Sequence, residues 1–107
     1  MAHSEELSVQ ELEELIEEAT VDAYNEDEQR AGLFTMIQDL LELPFETAIL
    51  GIQVRVIGVE LNAWEELIAV CERNGQQQAI PLLDLPLPSP PPDGWKWIEA
   101  YRYWSRA

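Results

Sequence analysis

One cysteine, one histidine and six basic residues are all that this 107-residue chain offers of three chemically important classes. With only Cys71, an intrachain disulfide and a cysteine-based zinc or iron–sulfur site are excluded, which fits a reducing cytoplasm. His3 and Cys71 make a poor nucleophile and base, because the first lies in a terminal segment expected to be mobile and the second in an apolar run. Glycine-rich phosphate loops, Gly-x-Ser-x-Gly elbows and His-Glu-x-x-His motifs are missing too, so an enzyme is not expected. No apolar run approaches the ~18 residues of a membrane span, and MAHSEELSV lacks the basic and apolar segments of a signal peptide. A cytoplasmic protein without membrane contact is the expectation.

Acid is abundant. The formal net charge is −15, and residues 1–42 carry 13 acids against Arg30 alone. Such a field repels nucleic acid and anionic membrane while attracting cations or basic protein surfaces. Hydrophobic residues still make up 47% of the chain, enough to expect one globular domain over residues 1–107.

Periodicity divides that domain. Residues 1–8 read as a mobile N-terminus and 9–43 as helical. Ser8 and Glu11 form a capping-box pattern, and Val9, Leu12, Leu15, Ile16 and Ala19 recur at helical spacing, predicting a first helix over 9–18. Thr20 is a candidate cap for further helix between 21 and 42, either one long helix or two short ones broken at Gly32. Beyond Pro44 the period changes to that of strands. Ile52, Val54 and Val56 alternate with polar positions, Leu67–Cys71 is a second run, and Asn74-Gly75 signals a hairpin. Several short strands with Gly51 and Gly58 predict a small bent sheet or SH3-like antiparallel β-barrel over 45–84. LPLPSPPPDG, residues 85–94, reads as a stiff connector, with an SH3 or WW ligand as the alternative. An aromatic-rich helix over 95–105 then packs on the N-terminal helices or plugs the barrel. The fold class is α+β.

Chemistry concentrates in TVDAYNEDEQRAG, residues 20–32. Clustered Asp, Asn and Glu supply the oxygen donors that calcium prefers. On a helix, Asp22 and Glu26 are four apart, while Asn25 and Glu28, and Asp39 and Glu42, are three apart, so each pair shares a face. An EF-hand loop does not fit: a start at Asp22 places Asp27 where the turn glycine belongs, and a start at Asn25 places Arg30 there. Residue types alone leave a merely solvated acidic face as the stronger explanation.

VDAYNEDEQ followed by IQDLLELPF resembles the small acidic calcium-binding proteins of cyanobacteria and other bacteria, and the resemblance continues through ELIAVCERNGQQQAIPLLDL to AYRYW. It spans roughly residues 20–104 and leaves the first helix outside. The resemblance implies a bacterial, non-EF-hand calcium binder with N-terminal helices, an SH3-like barrel and a C-terminal helix. It places the metal ligands at Asp22, Glu26, Glu28 and Asp39, with Glu42 close by. The connection between strands is often acidic in such proteins. Here VELNAWEEL offers only Glu60, Glu65 and Glu66, which weakens the case for a second site drawing on it. The competing expectation is an acidic interaction module that docks a basic protein partner independently of calcium.

Overall fold

The computed structural model describes residues 7–106. The expectation for His3, and most of the mobile segment 1–8, falls outside the described residues.

Helix α1 spans Val9–Ala19. Its capping box is complete, because Ser8 Oγ accepts from the Glu11 amide at 3.1 Å and the Ser8 amide donates to Glu11 Oε1 at 2.9 Å. Thr20 does not begin a helix. It ends α1, its amide donating to the carbonyls of Ile16 and Glu17 and its hydroxyl to the Ile16 carbonyl at 2.7 Å. The next helix, α2, starts only at Glu26 and runs unbroken to Leu40, capped by Asn25, whose Oδ1 accepts from the Glu28 amide at 2.8 Å. Gly32 therefore marks no break. A Cβ there would fall inside 3.0 Å of the Ala19 carbonyl oxygen, so glycine is what lets the end of α1 lie against α2.

Four antiparallel strands follow as a meander: β1 Phe45–Ile49, β2 Ile52–Leu61, β3 Leu67–Arg73 and β4 Gln76–Pro81. Asn74 and Gly75 both adopt positive φ in the β3–β4 turn, as the sequence suggests. Leu50 and Gly51 do the same between β1 and β2, a turn that leucine's poor fit to positive φ conceals in the sequence. The register slips between Val56 and Gly58, an irregularity in the β2–β3 ladder beside that glycine. Closure into an SH3-like barrel is not observed. β1 and β4 are the two edges and do not pair, so the sheet is open. Two short hairpins sharing the β2–β3 ladder satisfy the inner strands but provide no strand to bridge the edges.

A single 3₁₀ turn, Leu82–Asp84, leads into the proline-rich segment and then α3, Trp95–Arg106. The segment is tied down at both ends: Thr47 Oγ1 donates to the Pro86 carbonyl at 2.7 Å, and the Asp93 amide donates to Glu42 Oε1 at 3.0 Å. Leu33 and Ile37 of α2, Val56, Leu67 and Ala69 of the sheet, and Ile98 and Tyr101 of α3 meet in one buried core. α3 packs chiefly on α1 and α2, with Arg102 donating to the carbonyls of Leu82 and Leu85 beneath it. No helix among the described residues is long and apolar enough to cross a membrane.

Candidate metal site

Because α2 begins at Glu26, the helical pairings expected of its flanking acids change. Asp22 lies in the turn after α1 and shares no helix face with Glu26. Asn25 serves as the cap, and Glu42 lies beyond the C-cap Leu41, off the helical face that carries Asp39. Glu28 is also engaged: its Oε1 accepts from the Tyr24 amide at 2.6 Å, closing the turn that its own amide closes on Asn25. Asp22, Glu26, Glu28, Asp39 and Glu42 are all exposed.

Helical rise then decides which of them can meet. Glu26 and Asp39 are 13 residues apart in one unbroken helix, so about 20 Å of axis separates their backbones. One ion cannot reach both. Among the described residues there is no group of three or more Asp, Glu, His or Cys side chains already arranged to hold a metal. The acids instead divide between the two ends of α2.

At the N-terminal end the structure adds two residues that sequence reasoning did not select. Arg30 Nη1 lies 3.0 Å from Asp27 Oδ1 and 2.9 Å from Glu65 Oε1, joining α2 to the β2–β3 loop. That loop is shaped by Asn62, whose Oδ1 accepts from the amides of Trp64 and Glu66 at 2.8 and 2.9 Å. Glu65 takes a left-handed conformation within it, φ 62°. A hydrogen bond from Glu65 and another from Arg30 hold the Asp27 carboxyl below its usual range. Glu65 is displaced upward by the same contact and by the negative charge of Asp27. The two carboxyl groups are thus crowded around one guanidinium. Beside them a pocket of about 230 Å³ is lined by Glu26, Glu66, Trp64 and Trp104 among others. The i, i+3 spacing of Asp27 and Arg30 is a signal visible in the sequence. Glu65, 38 positions from Asp27, carries none.

At the opposite end Glu42 and Asp93 exchange hydrogen bonds, the Glu42 amide donating to the Asp93 carbonyl at 2.8 Å and the Asp93 amide to the Glu42 carboxylate. Gly94, at φ +85°, lets this loop approach the Leu40 carbonyl where any Cβ would collide. Asp39 stands one turn earlier, on a helix end whose unpaired carbonyls carry partial negative charge.

Both ends offer oxygen donors only, the type a hard divalent cation takes, and water can complete a coordination shell at exposed positions. Arg30 sits between two carboxylates where a cation belongs. The donor chemistry at both ends therefore fits calcium. Cys71 is buried in β3, its thiol pushed up by burial.

A family model described as calcium binding matches residues 13–105. No curated protein and no solved structure matches the chain.

Proposed function

The chain belongs to the CcbP calcium-binding family, and from that premise we propose that it is a calcium buffer or sensor, not an enzyme, holding the ion through carboxylates outside any EF-hand. The family match carries this reading. Asp22, Glu26 and Glu28, joined by Asp27 and Glu65, serve one ion at the start of α2, with Glu28 drawn from its capping bond or ligating through its second oxygen. Asp39 and Glu42, with Asp93, serve a separate ion at its end. What supports two sites over one is the length of α2, and what supports calcium over a softer metal is the absence of nitrogen and sulfur donors from both groups.

Calorimetric titration of EDTA-stripped protein at ~0.15 M salt, with a parallel magnesium titration, tests the proposal because that salt screens diffuse surface attraction. The expected result is saturable calcium binding that magnesium does not reproduce. Asp22→Asn with Glu26→Gln should remove one class of site and Asp39→Asn with Glu42→Gln the other. Equal, millimolar binding of both metals would reduce the acids to a counterion atmosphere and overturn the reading.

A second reading, docking of a basic protein partner, draws support from Trp64, 81% exposed on the β2–β3 loop beside Glu65 and Glu66. It predicts binding that weakens with salt and ignores chelator.

A further inference from the structure

Arg30 is the only lysine or arginine among residues 1–42, and its side chain meets three elements at once. Its Nη1 binds Asp27 on its own helix and Glu65 on the β2–β3 loop, while its guanidinium carbon stands 5.3 Å from the centre of the Trp104 ring of α3. Trp104 is fixed in turn, Nε1 donating to Gln29 Oε1 at 2.9 Å and the ring stacking on Tyr101 at 6.1 Å. The Arg30 side chain is only 18% exposed, against 72% and 55% for its two carboxylate partners, so the cation is enclosed while the anions face solvent.

Resting on the calcium reading, we propose that Arg30 is an internal counter-ion which calcium displaces from Asp27 and Glu65, setting the affinity of this end of α2 and reporting its occupancy to Trp104. Charge gives the reason. Two carboxylates against one guanidinium leave a net −1, whereas a divalent ion balances both. The guanidinium and the ion compete for the carboxylates, because a +1 and a +2 charge some 5 Å apart still repel in a water-like dielectric. Calcium must therefore work against Arg30 to bind. Once released from the carboxylates, the guanidinium loses the contacts that hold it over Trp104, and the indole environment changes.

The test is calcium calorimetry and tryptophan fluorescence on the full chain and on Arg30→Gln, Arg30→Lys, Lys96→Gln and Trp104→Phe. Lys96 is the control for net charge: it faces Glu11, Glu14 and Glu18 of α1, and eight helical residues, about 12 Å, separate it from Trp104. That exceeds the ~8 Å Debye length at physiological salt. Removing the competing charge in Arg30→Gln should tighten calcium binding about tenfold, while Lys96→Gln should change it less than about twofold. Arg30→Lys retains the charge and should stay near the wild-type affinity. Calcium should alter the fluorescence of the wild type, and that change should be lost in Trp104→Phe and diminished in Arg30→Gln. An affinity in Arg30→Gln that is unchanged, or lower as a purely structural role for Arg30 requires, would overturn the inference while leaving calcium binding intact. Failure of wild type and Arg30→Gln alike to bind calcium would instead remove the calcium reading on which it rests.

Discussion

Gly32→Ala opposes two effects of known sign at one atom. In an isolated helix the substitution would stabilise α2 by up to about 1 kcal/mol, since alanine loses less backbone freedom on folding. In this fold the new methyl would lie inside 3.0 Å of the Ala19 carbonyl oxygen and 3.2 Å from its carbon, with Thr20 Cα at 3.9 Å. Those atoms are backbone at the capped end of α1 and cannot rotate aside as a side chain would. Overpacking of this kind costs roughly 1–3 kcal/mol, and if α1 retreats to relieve it, the partly buried Leu15, Ile16 and Ala19 lose contact with the core. The clash should win, for a net loss of about 1–2 kcal/mol, which in a domain near 100 residues lowers Tm by about 5–15 °C. Thermal unfolding followed by circular dichroism measures this directly. Gly58→Ala is the comparison, because its Cβ meets nothing within 4 Å and should change stability by under ~0.5 kcal/mol. A Gly32→Ala protein as stable as the wild type, or more so, would refute the close crossing of α1 and α2 and with it the placement of the Asp22 turn.

Two further outcomes follow from buried or bonded titratable groups. Cys71 is 5% exposed and its thiol is pushed up by burial, so it should react with a colorimetric disulfide reagent far more slowly in the native protein than in denaturant; prompt stoichiometric reaction would contradict its place in the core. Tyr103 donates to Glu13 Oε2 at 3.2 Å, and that bond holds its phenol above the usual value. A raised folded-state value means that the contact contributes its full stabilisation below the ordinary tyrosine range and loses it as pH rises through the folded value. Glu13→Gln should bring the phenolate titration, read by ultraviolet absorbance, downward; an unchanged curve would show that α1 and α3 do not meet there.

Local signals proved legible where the chemistry is itself local. The Ser8–Glu11 box and the Asn74-Gly75 turn need only residues a few positions apart, and both form as the sequence suggests. The boundary between α1 and α2 was harder to read, since Thr20 can cap either a helix that follows or one that ends. Its hydroxyl bonds backward to Ile16, at the end of α1 that lies against Gly32 of α2, and nothing near Thr20 announces that packing. Barrel closure failed for a related reason. Alternation identifies strands, whereas closure depends on whether the outer strands reach one another, and β1 and β4 do not. The acids show the same division. Asp27 meets Glu65 through a fold that places the β2–β3 loop beside α2, whereas Asp22 and Asp39, closer in sequence, are kept at opposite ends of one helix.

That separation gives the two ends different capacities. At the end of α2, Glu42 and Asp93 are already locked by reciprocal hydrogen bonds, one of them taken by the Glu42 carboxylate, and Gly94 holds the loop against Leu40. An ion added there would meet a frame with little freedom to rearrange, and the event would stay local, as suits a buffer. At the start of α2 the carboxylates are held by a side chain that also touches α3, so on the proposed reading an ion taken up there changes what Arg30 contacts. A ligand shifts a conformational equilibrium only by its differential affinity for the two states, and competition with an internal cation is one way to create that difference. On the proposed two-site reading, sensing is expressed through the Arg30 end, and truncating Asp39 and Glu42 should remove binding capacity without removing the tryptophan response.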